Sequence, residues 1–547
     1  MSDAAQPNAQ NAYAGEGVVG RWIAAQAGWR APALSAAAGA IATLGHAPFH
    51  IVPAFILGIA LLVWQLDAAA ASARPMRAAF ARAYWFAAGH FISGTYWVSS
   101  AFLVDSQTWG PLWGAPAALA LGGGLALFWG AAFAFGIKLW TRDWRRIGVF
   151  AGVAMIAEFT RGNVFGGFPW NLPGYVWPAG EPVSQLASII GAYGLSALTL
   201  LLAAAAAPLA DARPLPFRLG PALAACLGLG LAWGYGVQRM ADGPILQPGE
   251  TPIIRVADSG ISQADKWERR PDQEWRVLSR YAAVSEPAEE SRAQIVVWPE
   301  GAIPAVNFLL LENPDMLERI GAIMGDRALI VGFTRRARAE NGDVHYFNSA
   351  AIIDGVSGRA RLAQIYDKNR LVPFGEFIPL WSLVGRFNIA PLQQIGSGFT
   401  AGARPTRLIA PEAPSVVPLI CYEAIFPGMV PRGEERPGWI VNLTNDAWFG
   451  AGTGPWQHYN MARYRAIEEG LPLARAASGG VSAIVDSYGR AIVETGLEGG
   501  GVEAQLPAAL NEPVYGSWGR ALAGLIVLLL LALRLAPAGL RSRGSKA

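Results

Sequence analysis

Val416-Val417-Pro418-Leu419-Ile420-Cys421-Tyr422-Glu423 is an apolar, β-forming run that stops at a thiol and a carboxylate. Two further stretches have the same form. Val296-Val297-Trp298-Pro299-Glu300 is a strand halted by proline that presents a carboxylate. Tyr366-Asp367-Lys368-Asn369-Arg370-Leu371-Val372-Pro373-Phe374-Gly375-Glu376 leads from a β-rich run into a loop carrying an amine and a second carboxylate. Other short β-rich runs lie at Ile253–Ala257, Leu329–Phe333, Trp439–Leu443 and Val481–Val485, with charged helical stretches such as Trp267–Val284 and Met461–Glu469 between them. Strands alternating with helices predict an α/β domain over residues 250–505, long enough for one large core. Such domains place reactive groups at strand ends.

Outside that domain the charge disappears in blocks. Residues 31–66, 182–210, 219–238 and 521–533 contain no Asp, Glu, Lys or Arg, and 83–137 contain only Asp105. Over 547 residues the chain is 53% hydrophobic and 15% charged, well below the ~25% charge of soluble proteins. Its mean hydropathy is +0.29. A bilayer-crossing helix needs about 20 apolar residues. Broken at proline, glycine and polar turns, the runs predict about eight spans: 32–47, 50–66, 80–103, 113–137, 147–160, 185–207, 218–237 and 518–536. The span at 147–160 is the weakest, being short and holding Glu158, which pairs locally with Arg161. The expected organisation is a polar, disordered cytoplasmic tail over 1–30, a seven-helix membrane domain over 31–240, the α/β domain over 250–505 and a closing transmembrane helix over 518–536.

Lysine and arginine at the span ends set an orientation. Taken alternately, one set of ends and flanks holds 15 basic residues, whereas the other short loops hold only Arg161. The basic set is expected in the cytoplasm, which places the α/β domain on the far side, the periplasm of a bacterium. A net charge of +3 gives no reason to expect a nucleic-acid partner. The two cysteines, Cys226 and Cys421, form no disulfide framework or zinc spacing, and the five histidines make no metal-ligand pair.

A thiol attacks as thiolate and needs a base and a cation. Glu300 is a candidate base, Cys421 a candidate nucleophile and Lys368 a candidate partner for the charge of a tetrahedral intermediate. Each signal alone is weak: an isolated strand-end cysteine is usually inert core, and a lysine beside aspartate is usually a surface pair. His458 reads as a structural hydrogen-bonding residue rather than a base.

In order and context, the three residues resemble the nitrilase superfamily. Joined to a multi-span membrane block, they resemble the apolipoprotein N-acyltransferase family in particular. The resemblance rests on Trp298-Pro-Glu-Gly-Ala-Ile-Pro304, Asp367-Lys-Asn-Arg-Leu-Val-Pro-Phe-Gly-Glu-Phe-Ile-Pro379, Ile420-Cys-Tyr-Glu423, Asn445-Asp-Ala-Trp-Phe-Gly450 and Gly454-Pro-Trp-Gln-His458 with Met461-Ala-Arg463. Ala47-Pro-Phe49, Gly94-Thr-Tyr-Trp97 and Gly167-Phe-Pro-Trp170 extend it into the membrane block. It implies a periplasmic αββα sandwich in the inner membrane that transfers an acyl chain from a phospholipid, typically phosphatidylethanolamine, to the α-amine of a diacylglyceryl-cysteine on an apolipoprotein. It implies no cofactor or metal, and the chain is expected to act as a monomer among membrane lipids. By position it implies Glu300 as base, Lys368 as oxyanion partner and Cys421 as nucleophile. Glu376, Tyr422 and Glu423 support the site, and Trp267 contacts substrate.

The chain departs from the family pattern at Val256-Ala257-Asp258-Ser259, where Val-Gln-x-Asn is frequent, and at Ser478-Gly479-Gly480, where paired Asn or Thr-Gly is frequent. The aromatic segment Phe377–Phe399 is expected to form a lid that dips into lipid. A membrane-tethered amidase would share the three residues but release its acyl group to water. A transporter or scaffold would tolerate alanine at all three and would carry charges along its spans.

Overall fold

In an apolar surrounding every backbone N–H and C=O must find an internal partner, so long uncharged runs fold as helices. The computed structural model describes residues 17–104, 111–243, 246, 251–267, 272–286, 290–303, 314–338, 342–356, 359–378, 381 and 398–536. Its N-terminal part is built from α1 (Val18–Ala24), α2 (Arg30–Thr43), α3 (Val52–Ala70), α4 (Pro75–Gly94), α5 (Val98–Val104), α6 (Gly114–Gly136), α7 (Arg146–Asn163), α8 (Ala187–Ala204) and α9 (Leu215–Arg239). A turn carrying His46 and His50 separates α2 from α3. Leu62, Leu66, Phe86, Phe91, Trp129, Phe133, Phe150 and Leu200 form the helical core.

The sequence expectations need three adjustments here. The tail expected to be disordered through residue 30 contains α1, which buries Ile23. The span expected at 80–103 is instead a helix that starts at Pro75 and ends at Gly94, where the Thr95 hydroxyl donates to the Phe91 carbonyl at 2.8 Å. Helices stand at all eight expected spans, but among the described residues five are long and apolar enough to cross a membrane: Val52–Ala70, Gly114–Leu139, Pro182–Ala210, Leu215–Arg239 and Val514–Leu535. Of the others, α2 has 14 residues, a rise of about 21 Å. Helix α4 carries Arg77 and Arg82, and α7 carries Arg146, Glu158 and Arg161.

The α/β part follows: β1 (Ile253–Asp258), α10 (Gln263–Trp267), α11 (Gln273–Ser285), β2 (Ile295–Trp298), α12 (Pro314–Met324), β3 (Ala328–Arg338), β4 (Val344–Val356), β5 (Arg359–Asp367), β6 (Val416–Ile420), β7 (Trp439–Asn445), α13 (Gly454–Glu469), β8 (Leu473–Ser478), β9 (Ala483–Val485), β10 (Ala491–Glu494), β11 (Gly500–Gln505) and the closing helix α14 (Val514–Ala532). Two sheets form, ordered β11-β1-β2-β3-β4-β5 and β10-β9-β8-β7-β6. The β1-β2-β3 and β6-β7-β8 ladders are parallel; the outer strands pair antiparallel. Ile254, Val297, Ile330 and Ile352 of one sheet meet Val416, Ile420, Val441, Leu443 and Ile484 of the other in a shared core. Helices α11 and α12 cover the outer face of the first sheet, and α13 that of the second. This is the αββα sandwich.

The sandwich seats on the helical part through polar contacts. Gln457 Oε1 accepts the indole N–H of both Trp97 (3.1 Å) and Trp170 (2.7 Å), and Glu468 accepts the Ala192 N–H at 2.7 Å.

Helices α2 and α4 approach so closely that only glycine fits between them. A Cβ on Gly89 would lie 2.0 Å from the Ala36 carbonyl oxygen, and one on Gly39 would lie 1.8 Å from that of Phe86. Gly89→Val is therefore expected to destabilise the helical part by about 1–3 kcal/mol. A lower thermal midpoint of tryptophan fluorescence in detergent reads this out. Gly124→Ala, where a Cβ meets nothing within 4 Å, should leave the midpoint unchanged.

Candidate active site

Three strand ends converge. Glu300 lies two residues beyond β2, Lys368 follows β5, and Cys421 follows β6. Lys368 is held by its own backbone, whose N–H donates to the Asn348 carbonyl of β4 at 2.8 Å. Its ammonium is buried, 3.3 Å from Glu300 Oε1 and 2.9 Å from Glu376 Oε1. The Asn348 amide bridges the same two carboxylates, 2.6 Å from Glu300 and 2.7 Å from Glu376. The second Glu300 oxygen accepts the Asn445 N–H at 3.0 Å, and that of Glu376 accepts the Val372 N–H at 2.8 Å. Burial works against the Lys368 charge, but Glu300 and Glu376 outweigh it and hold its pKa above the usual lysine range. Lys368 is a fixed cation.

Cys421 is buried, with φ at +48°, in the left-handed region a side chain rarely adopts. Burial pushes the thiol pKa up and Glu300 adds to it, while Lys368 and a hydrogen bond to Thr444 pull the other way without reversing it. The resting group is a thiol, beside a cation placed to receive negative charge.

Two buried carboxylates form the floor. Glu423 accepts the Tyr366 hydroxyl (2.6 Å) and the backbone N–H groups of Asn369 (2.8 Å), Arg370 (3.1 Å) and Ile420 (2.8 Å), tying the Lys368 loop to the Cys421 turn. Asp446 binds Arg475 and accepts from Thr444 (2.8 Å) and from His458 Nδ1 (2.8 Å). The Tyr422 hydroxyl donates to the Gly167 carbonyl, joining the site to the helical part.

Residues 38–205 match the model for the apolipoprotein N-acyltransferase N-terminal domain, and residues 255–512 match that for carbon-nitrogen hydrolases. An apolipoprotein N-acyltransferase of Caulobacter vibrioides is 39% identical over 502 residues, spanning 90% of this chain and 92% of that protein. The chain belongs to the apolipoprotein N-acyltransferase family. Another member, from Bradyrhizobium diazoefficiens, is 38% identical over 522 residues, covering 93% of this chain and 95% of its own. Among solved structures the chain is similar to an amidase from Nesterenkonia sp., at a TM-score of 0.34 and 18% identity over 51% of this chain and 98% of that one. This family member is a membrane-associated acyltransferase with a carbon-nitrogen hydrolase domain.

Of the residues singled out in the sequence, Glu300, Lys368 and Glu376 meet in one hydrogen-bonded cluster, and Cys421 lies within its field. Tyr422 and Glu423 line the same turn. Trp267 ends α10, and its side chain lies outside the described residues. The lid expected over Phe377–Phe399 falls mostly at 379–380 and 382–397, also outside the described residues. Cys226 sits exposed on α9, away from the site. Glu158 and Arg161 form the expected local ion pair, and Trp129 also donates to Glu158 at 2.7 Å. Among the described residues no group of three His, Cys, Asp or Glu side chains is placed to hold a metal.

Sequence reasoning missed Asn348, which carries no motif signal on a polar, alternating strand. Asn445 and Asp446 lie in a quoted motif, but only the fold gives them partners, Glu300 for the Asn445 N–H and His458 with Arg475 for Asp446. The two departures from the family pattern meet around Lys266, whose buried ammonium donates to Ser478 Oγ at 2.7 Å and is drawn electrostatically to Asp258.

The charge balance predicts how the thiol titrates. In a Cys226→Ala background, the pH midpoint for iodoacetamide labelling of Cys421 should lie above that of a free cysteine. Lys368→Met should move it further up, because a stabilising cation is lost. Glu300→Gln should move it down, because a repelling carboxylate is lost. Peptide mass analysis of Cys421 across pH measures all three.

Proposed function

We propose that the chain transfers an acyl group from a phospholipid, typically phosphatidylethanolamine, to the α-amine of the N-terminal diacylglyceryl-cysteine of an apolipoprotein, through a thioester on Cys421. The convergence of a carboxylate, a fixed ammonium and a strand-end thiol carries this reading. The relatives' name supplies the acceptor class.

Glu300 takes the Cys421 proton as Sγ attacks the ester carbonyl carbon. The carbonyl π electrons move onto oxygen, and that oxyanion faces Lys368 Nζ and the Tyr422 backbone N–H. The carbon–oxygen ester bond then breaks, lysophospholipid leaves with the proton held by Glu300, and the acyl group remains on sulfur. In the second half the acceptor amine attacks the thioester, Glu300 accepts its proton, and the Cys421 thiolate leaves and is reprotonated. Lys368 is not a proton carrier in either half, since Glu300 and Glu376 hold it charged. Splitting the transfer into two displacements is the gain from covalent catalysis. A thioester must survive until the amine arrives, which the burial of Cys421 favours.

The donor reaches the site from a bilayer in this reading. Leu223, Leu227 and Leu231 recur every four residues along α9 and are exposed, making a lipid-facing stripe. With the basic flanks cytoplasmic, the sandwich stands in the periplasm against the inner membrane. The chain acts as a monomer, without cofactor.

Incubated with phosphatidylethanolamine alone, the purified protein should accumulate a hydroxylamine-labile acyl adduct on Cys421, which a diacylated lipopeptide should discharge. Glu300→Gln and Lys368→Met should each slow adduct formation by about 100-fold or more. Cys421→Ala should abolish it and Cys226→Ala should leave it intact. Full-rate transfer with no adduct by quenched intact-mass analysis would replace this mechanism with direct amine attack. For orientation, a reporter active only outside the cytoplasm should work when fused after residue 250 and fail within 67–80; the reverse pattern overturns the assignment.

A further inference from the structure

The Cys421 carbonyl is gripped from behind. His458 Nε2 donates to it at 3.2 Å, while His458 Nδ1 lies 2.8 Å from Asp446 Oδ1. A carbonyl oxygen can only accept, so a ring N–H faces the Cys421 carbonyl, and Arg475 Nη2 also lies 3.4 Å from His458 Nδ1. Burial works to raise the Asp446 pKa, but Arg475 and His458 outweigh it and hold the carboxyl below its usual range. The imidazole is fully buried and cannot turn. Trp170 lies against it at 5.5 Å between ring centroids and Phe449 meets it edge-on at 5.7 Å. The preceding residue on α13, Gln457, is anchored to Trp97 and Trp170.

A peptide unit is planar, and in the trans form its C=O and the following N–H point in opposite directions. Fixing the Cys421 carbonyl toward His458 therefore fixes the Tyr422 N–H toward the other side. The Cys421 backbone at φ +48° is a strained conformation that persists only when its surroundings hold it. We propose that His458, steadied by Asp446, is a positioning residue that aims the Tyr422 N–H at the oxyanion by anchoring the opposite edge of the same peptide plane. This rests on the thioester reading above, and it gives the buried His458–Asp446–Arg475 network a task beyond packing.

Two reagents separate this role from a general one. Acylation of Cys421 by p-nitrophenyl butyrate passes through a tetrahedral oxyanion and releases p-nitrophenolate. Alkylation by iodoacetamide displaces iodide at a saturated carbon and forms no oxyanion. In a Cys226→Ala background, His458→Phe should slow acylation by about 100-fold, the loss expected for one oxyanion donor, while alkylation keeps its rate. His458→Gln, which retains an N–H donor, should recover part of the acylation rate. Where phenylalanine is not accommodated, His458→Asn, too short to reach the carbonyl, serves as the donor-less arm. Acylation at the wild-type rate in the donor-less variant overturns the proposal. So does a parallel fall of acylation and alkylation, which would place the effect on the thiol itself. If wild type accepts an acyl group from p-nitrophenyl butyrate but none from phospholipid, the donor reading fails and this comparison stands.

Discussion

A buried ammonium has to be neutralised where it sits, and Lys368 sets this requirement for the site. Leaving such a charge unpaired costs several kcal/mol. Two carboxylates satisfy it, one from beyond β2 and one from the loop after β5, and both are bridged by Asn348 of β4. That demand keeps three segments of the first sheet in register. It also leaves a surplus of negative charge beside Cys421, which adds to the effect of burial in keeping the thiol protonated at rest despite a neighbouring cation.

The second sheet answers with a network of its own. Asp446 lies at the turn after β7, Arg475 on β8 and His458 on α13, and together they surround the Cys421 turn. Helix α13 has a double task. Its Gln457, Asn460 and Glu468 engage the helical part, while His458 reaches the Cys421 backbone. The membrane-facing half and the chemistry are therefore connected through one helix, with the Tyr422 hydroxyl on Gly167 as a second link.

Legibility in the sequence tracked local signal. Strands β2 and β6 are unbroken apolar runs buried on both faces, and their bounds were readable directly. Strand β4 was missed, and β5 was legible only at its end before Lys368, because they carry His345, Asn348, Asp354 and Arg361. Strand β8 is rich in alanine, a poor β-former, and β11 opens on two glycines. In the helical part, the count of strongly apolar helices fell short of the expected spans where arginines entered α4 and α7.

By itself the sequence determined the class of the molecule and singled out the candidate residues that the structure brings together. Uncharged blocks demand helices in an apolar setting, and Glu300, Lys368 and Cys421 each follow a strand that a chain pattern can reveal. Only the tertiary structure decided which groups touch. Asn348 between two carboxylates, Glu423 between two loops and His458 behind Cys421 are contacts between residues 28 to 57 positions apart in the chain. No local periodicity encodes such pairs. They arise because two sheets share one core, and because buried charges and carbonyls accept only the partners that the packing brings within reach.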